Sequence, residues 1–170
     1  MSRWRSGVAS AAVTAVALTA GATGAAAQSA SATLQVSANV SRNCTITTTP
    51  LAFGAYDPVV ANVTNPLDGV GSVVIACTQG TTSTIGLSVG ANAQGSVRRL
   101  SDGATAYLTY EMYQDGTRTV LWGDSGAERL DAGTAPSRDP RTFTVYGRVA
   151  QGQDVPVGVY ADSVVATVNF

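Results

Sequence analysis

The 170-residue sequence contains no histidine and no lysine; all ten of its basic residues are arginine. A serine or cysteine nucleophile normally needs an imidazole or an amine beside it to take its proton, and neither is present. Cysteine is scarce too, at two residues, and two thiols without an imidazole make a poor metal site. Charge is sparse: 12% of residues are charged, the net charge is −1 and the sequence pI is about 5.2. No basic stripe is available to hold nucleic acid. Beyond the first 27 residues no apolar run reaches the length needed to cross a bilayer, and no apolar pattern at helical spacing lasts more than one turn.

What is present begins with a leader. Arg3 and Arg5 precede a small apolar run, Val8 to Ala20, and Ala25-Ala26-Ala27 forms an A-x-A site. This predicts a secretory signal peptide over 1–27, with the mature chain starting near Gln28. The run is too short, and too often interrupted by Thr and Gly, to anchor in a membrane. Removal of Arg3 and Arg5 takes the net charge from −1 to −3. No anchor signal is read at the C-terminus, so the mature protein is expected to be exported. In an oxidising compartment Cys44 and Cys77 form a disulfide. It would close a loop of about 33 residues, worth roughly 3–4 kcal/mol in a chain-entropy account.

The stretch "ATLQVSANVSRNC" alternates without a slip. Ala32, Leu34, Val36, Ala38 and Val40 are apolar and the residues between them are polar. That is a strand with one dry face and one wet face. Taken alone it suits this domain's own first strand or a strand docked in another molecule. After Cys44 the pattern is strands and turns. "CTITTT" (44–49) is β-branched. The stretch 51–71 reads as loop, with Asn65-Pro66 and Asp68-Gly69 as turn signals. "SVVIACT" (72–78) reads as a strand buried on both sides. "STIGLSV" (83–89) alternates. Asp102-Gly103 marks a hairpin ahead of a strand through Leu108, Tyr110 and Met112. "TRTVLWG" (117–123) follows a second turn signal at Asp115-Gly116, 124–140 reads as loop, and "RTFTVYGRV" (141–149) alternates. The closing "GVYADSVVATVNF" (158–170) puts Val164, Ala166, Val168 and Phe170 on one face. About seven short strands separated by turns predict an all-β sandwich.

Candidate chemistry is thin. "GDSG" (123–126) resembles the nucleophile segment of trypsin-like serine proteases, with Ser125 in the attacking position, but these are also the residues of an ordinary turn. The eleven acidic residues are scattered singly, most beside Gly or Pro, and suggest neither a carboxylate pair nor a calcium loop. Arg98-Arg99 reads as a solvated or ion-paired edge. Tyr107, Tyr110, Tyr113 and Trp122 lie close in sequence, yet Tyr110 differs in parity from Tyr107 and Tyr113, so core packing suits them better than a sugar platform. No enzyme and no cofactor are expected. The last strand is apolar to its end, so its side chains should be core and its backbone needs neighbours on both edges.

Together "CTI", "VVIACT", "VGANAQGSVRRLSDGATAYLTYEMYQD", "LWGD", "FTVYGRV" and "PVGVYADSVVATVNF" resemble the spore coat protein U family, which includes subunits of archaic chaperone–usher pili. The resemblance runs from about Ala32 to Phe170. It implies an immunoglobulin-like sandwich lacking its last strand, which a periplasmic chaperone and then a neighbouring subunit supply in trans. It implies a domain over 42–170 preceded by a donor-strand extension over 28–41. Ala32, Leu34, Val36, Ala38 and Val40 would be the donor side chains, and Val164, Ala166, Val168 and Phe170 would line the acceptor groove. Cys44–Cys77 would tie the first strand to its neighbour. Nine extended donor residues reach roughly 30 Å, and burying Leu34, Val36 and Val40 contributes about 5–9 kcal/mol before ordering costs. The implied partners are a pilus chaperone, an outer-membrane usher and further copies of the chain. The implied place is the cell surface, in attachment or biofilm formation. A secreted coat protein that does not polymerise, with 32–40 folded back on its own domain, is the alternative; a carbohydrate-binding tip adhesin is a more distant one.

Overall fold

The structure is a computed structural model that describes Gly24 and residues 26–170. Most of the expected leader, 1–27, therefore lies outside the described residues. Two units are distinguished, Met1–Ala38 and Asn39–Phe170. In the first, residues 26–38 carry no regular secondary structure and are exposed throughout.

The second unit is a sandwich of eight strands: β1 (Cys44–Ala52), β2 (Leu67–Cys77), β3 (Thr82–Leu87), β4 (Arg98–Ser101), β5 (Tyr107–Tyr113), β6 (Leu130–Thr134), β7 (Arg141–Val149) and β8 (Ala166–Asn169). Five form one sheet in the order β1-β2-β7-β5-β4, and three form the other in the order β6-β3-β8. Every pairing is antiparallel. The alternation read from the sequence sets the inner faces. Val73, Ile75 and Cys77 of β2, Leu108, Tyr110 and Met112 of β5, and Val145 and Val149 of β7 are buried against Ile85 and Leu87 of β3. Cys44 and Cys77 are directly paired in the β1–β2 ladder and form the disulfide.

Several local expectations are corrected. β2 begins at Leu67, inside the stretch 51–71 read as loop, because its first half carries Asp68, Gly69 and Gly71, which look like a turn. It is not buried on both sides: Val74 and Ala76 are half-exposed on the outer face while Val73 and Ile75 are buried. The stretch 117–123 is not a strand; it makes one bridge, Leu121 to Tyr113, and then buries Trp122. Within 124–140, read as loop, lie a single 3-10 turn, Gly126–Glu128, and β6. Ser125 sits in extended backbone at the start of that turn, so "GDSG" is a turn. The closing strand is shorter than 158–170, with ladder pairing only at Ala166–Asn169.

Arg98 is the largest departure from expectation. It is no solvated edge but 4% exposed. Its guanidinium crosses between the sheets to donate to the carbonyls of Leu87 (2.9 Å), Ser88 (3.0 Å) and Trp122 (2.9 Å). Trp122 is fully buried and donates its indole N–H to Ile85 O at 2.9 Å. The two side chains fasten the sheets at one flank of the sandwich. Arg99 does lie at the surface, stacked over the Tyr107 ring.

Candidate functional site

The opposite flank is open. β1 is an edge of the five-stranded sheet and pairs only with β2; β8 is an edge of the three-stranded sheet and pairs only with β3. The two run in opposite directions along one side of the sandwich. Between β1 and the segment leading into β8 lies a cavity of about 340 Å³, walled by Thr48 to Leu51 on one side and Asp162 to Val164 and Ala166 on the other. Its floor is core: Val73, Leu87, Tyr110, Met112 and Val145. A second cavity of about 700 Å³ continues it past Leu51, Phe53, Leu100 and Asp162, towards Tyr56, Pro58 and residues 155–161. The two share Leu51, Phe53, Leu100 and Asp162, and so form one groove that runs from Thr48 to Pro58 along one wall and from Ala166 back to Val155 along the other.

Strand geometry fixes what the walls present. Asn43 O accepts from Thr78 N at 2.8 Å, so the odd-numbered residues of β1 turn their backbone groups towards β2. By alternation Cys44, Ile46 and Thr48 turn theirs to the open edge. On the other wall Ser88 N donates to Val165 O (2.9 Å) and Ala91 N to Ser163 O (3.0 Å). The backbone groups of Val164, Ala166 and Val168 therefore also point to the open edge, and their side chains point inward. An apolar floor between two rows of unpaired backbone donors and acceptors is the outline of one extended strand.

The walls are held by specific contacts. The β1 ladder is irregular between Thr49 and Ala52, and this bend carries Leu51 and Phe53 over the inner face. They fit because positions beneath them are glycine: a Cβ on Gly147 would stand 2.6 Å from Leu51 Cδ2 and 2.8 Å from Phe53 Cε1. A Cβ on Gly71 would stand 3.0 Å from Leu51 N. On the other wall Asp162 is the anchor. Its Oδ2 accepts from the Tyr110 hydroxyl at 2.8 Å, and its Oδ1 accepts from Asn92 N (3.0 Å) and Asn92 Nδ2 (3.1 Å). Burial, reinforced by this carboxylate, pushes the Tyr110 phenol well above its ordinary value. Asp162 is the one charged side chain that lines the groove among the described residues, and its hydrogen bonds are internal. The groove is otherwise neutral and suits apolar side chains on a strand. No group of three potential metal ligands occurs among the described residues.

Val164 and Ala166 line the groove; Val168 packs against the core beside it. Phe170 is 51% exposed. Leu34 (86%), Val36 (86%) and Val40 (81%) are exposed, as are Ala32 and Ala38. Sequence reasoning missed Leu51, Phe53, Gly147 and Asp162. The glycine at an inward position of the alternating "FTVYGRV" was the one legible signal, since glycine in a strand interior marks a close approach. Asp162 carried none, standing in a run of alternating residues like any surface acid.

No helix among the described residues is long and apolar enough to cross a membrane. In a comparison with solved structures, the chain matches the crystal structure of the CsuC–CsuE chaperone–tip adhesion subunit pre-assembly complex from archaic chaperone–usher Csu pili of Acinetobacter baumannii. The TM-score is 0.56 at 22% identity, over 77% of this chain and 40% of that chain. This likeness is one of fold, an immunoglobulin-like sandwich. Among curated proteins, Protein U of Myxococcus xanthus is 40% identical over 176 residues, covering 94% of this chain and 96% of that protein. The model of the Spore Coat Protein U domain matches residues 30–167, and the chain belongs to that family.

Proposed function

We propose that the protein is a structural subunit of an archaic chaperone–usher pilus that polymerises by donor-strand exchange. The observation that carries this reading is the open flank: two unpaired sheet edges, β1 and β8, facing across an apolar groove whose floor is the core. An extended segment laid there completes both sheets through backbone bonds and fills the groove with alternate side chains. Ala32, Leu34, Val36, Ala38 and Val40 of a second copy supply the apolar face, and Val164, Ala166, Val168 and Phe170 belong to the accepting wall. Before assembly a periplasmic chaperone fills the groove, and an outer-membrane usher passes the subunit to the fibre. The fibre at the cell surface supports attachment or biofilm formation. The segment 1–27 is the export signal, 28–41 the donor extension and 42–170 the accepting domain.

The experiment compares residues 42–170 alone with the same protein plus a peptide covering 30–41. The truncated domain is expected to aggregate and melt low, and the peptide to rescue it. A truncated domain that melts like the longer chain and ignores the peptide rules out strand exchange. The match to the Spore Coat Protein U domain supports a second reading, a secreted coat protein, here taken as one that does not polymerise. Under it, Leu34→Asp leaves the assembly state unchanged; under strand exchange the same change abolishes polymer ladders and leaves chaperone binding intact.

A further inference from the structure

The donor residues stand immediately ahead of the domain that carries the groove, so a subunit that folds its own extension back would close its groove and leave the fibre. We infer that Thr78 opposes this self-closure by holding the linker in line with β1, and so acts as a positioning residue for exchange between copies. This rests on the strand-exchange reading above.

Thr78 follows the disulfide residue Cys77 and lies opposite Asn43. Its N–H donates to Asn43 O at 2.8 Å, and its Oγ1 accepts from Asn43 N at 3.1 Å. The same hydroxyl lies 3.3 Å from Ser41 O and 3.4 Å from Asn43 O, with one proton to share between them. Both backbone groups of Asn43, and the carbonyl of Ser41, are thus engaged on the β2 side. The groove lies on the other side of β1. A two-residue reversal at Ser41-Arg42 would pair Val40 with Asn43 across that other edge, and needs the Asn43 N–H that Thr78 holds. A wider reversal closing on Cys44 must swing Ser41 towards the groove and break its bond to Thr78. Every short path by which residues 32–40 could reach their own groove therefore begins by releasing Thr78. A neighbour's groove demands no such release. The sequence around Thr78 gives no hint of this: "ACTQG" reads as a strand end and a turn.

The test uses the full-length chain, exported and purified, with cysteines added at Leu34 and Ala166 to trap the extension in a groove under oxidation. In the parent chain the trapped product is expected to be an intermolecular ladder. With Thr78→Val, which keeps the shape and loses the hydroxyl, the intramolecular product should rise about fivefold relative to the ladder, as the loss of one net hydrogen bond gives. Thr78→Ser should restore the parent ratio, which a purely packing role would not. If Thr78→Val folds poorly, two glycines inserted between Arg42 and Asn43 loosen the same linker and should shift the ratio the same way. An unchanged ratio in both loosened chains, with ladders still forming, overturns the role of Thr78 while leaving strand exchange intact. Absence of any intermolecular product in the parent chain overturns both.

Discussion

The hydroxyl of Tyr110 donates to Asp162 Oδ2 at 2.8 Å, and so couples the middle of β5 to the wall of the groove that precedes β8. Tyr110→Phe keeps the buried ring and removes the donor. The Asp162 carboxylate then keeps only its bonds from Asn92, at a cost of about 1–3 kcal/mol in urea unfolding. Amide exchange at Ala91, which donates to Ser163 O, and at Val165, which donates to Ser88 Oγ, should accelerate more than in β2. The alkaline limb carries a further signature. Burial and the carboxylate raise the folded phenol above the ordinary 10.0. An unfolded chain gives up that proton first, so the stabilisation is complete below pH 10 and is lost as pH climbs above it. The Phe variant should lack that part of the alkaline decline.

The fold class was legible because period-2 alternation is a local signal. "YLTYEM" and "RTFTVYGRV" show their inner faces directly, and Leu108, Tyr110, Met112, Val145 and Val149 are buried as the parity demands. The disulfide followed from compartment and count. What stayed hidden depends on contacts distant in sequence. Asp68, Gly69 and Gly71 look like a turn, but glycine is there because Leu51 and the backbone around Ala52 pass within about 3 Å. Residues 158–165 look like the strand that follows them, yet apart from one bridge, Ala161 to Ser101, and single bonds at Ser163 and Val165 they join no continuous ladder. Arg98 reads as an edge charge because nothing nearby in the chain announces the three carbonyls that receive it.

Arg98 is predicted to be the most sensitive charged position. Arg98→Met leaves the carbonyls of Leu87, Ser88 and Trp122 without their donor and the half-buried Glu111 without its cation, 3.5 Å away. Burial already raises the Glu111 carboxyl, so losing the arginine leaves that charge worse placed. The expected loss is about 3–5 kcal/mol, read from the denaturation midpoint. Arg98→Lys should recover only part of it, since an ammonium lacks the planar fork that spans three acceptors. A loss below 1 kcal/mol for the Met variant would mean that the carbonyls find water instead.

Gly147→Ala tests whether the bend in β1 needs the space beneath it. A methyl group there would overlap Leu51 Cδ2 and the edge of the Phe53 ring. Leu51 can turn aside; Phe53 is held edge-on to Tyr110, at 5.9 Å between centroids. The expected cost is about 1–3 kcal/mol. Because Leu51 and Phe53 line both cavities, peptide 30–41 should bind the truncated domain more weakly in this variant. Pairing the change with Leu51→Ala should relieve part of the strain, and the double-mutant cycle measures that coupling.

Asp68 carries the acid dependence of the outer face. Its carboxylate receives Arg148 Nε at 2.7 Å and Nη2 at 2.9 Å, with Arg118 Nε at 3.3 Å. The hydrogen bond from Arg148, more than the charges of the two arginines, holds the Asp68 carboxyl below the ordinary 3.8. A depressed folded pKa means that the unfolded chain takes up the proton first. The stabilisation is therefore complete above pH 3.8 and drains away as pH falls through the lower folded value. Solvent reaches this site, so the contribution is at most about 1 kcal/mol. Asp68→Asn should melt slightly lower than the parent at neutral pH, and the two melting curves should converge as pH drops below the ordinary aspartate range. High salt at neutral pH should narrow the same gap, because exposed charges are screened. A gap that persists undiminished in acid would show that the asparagine disturbs packing between β2 and β7 rather than the ion pair.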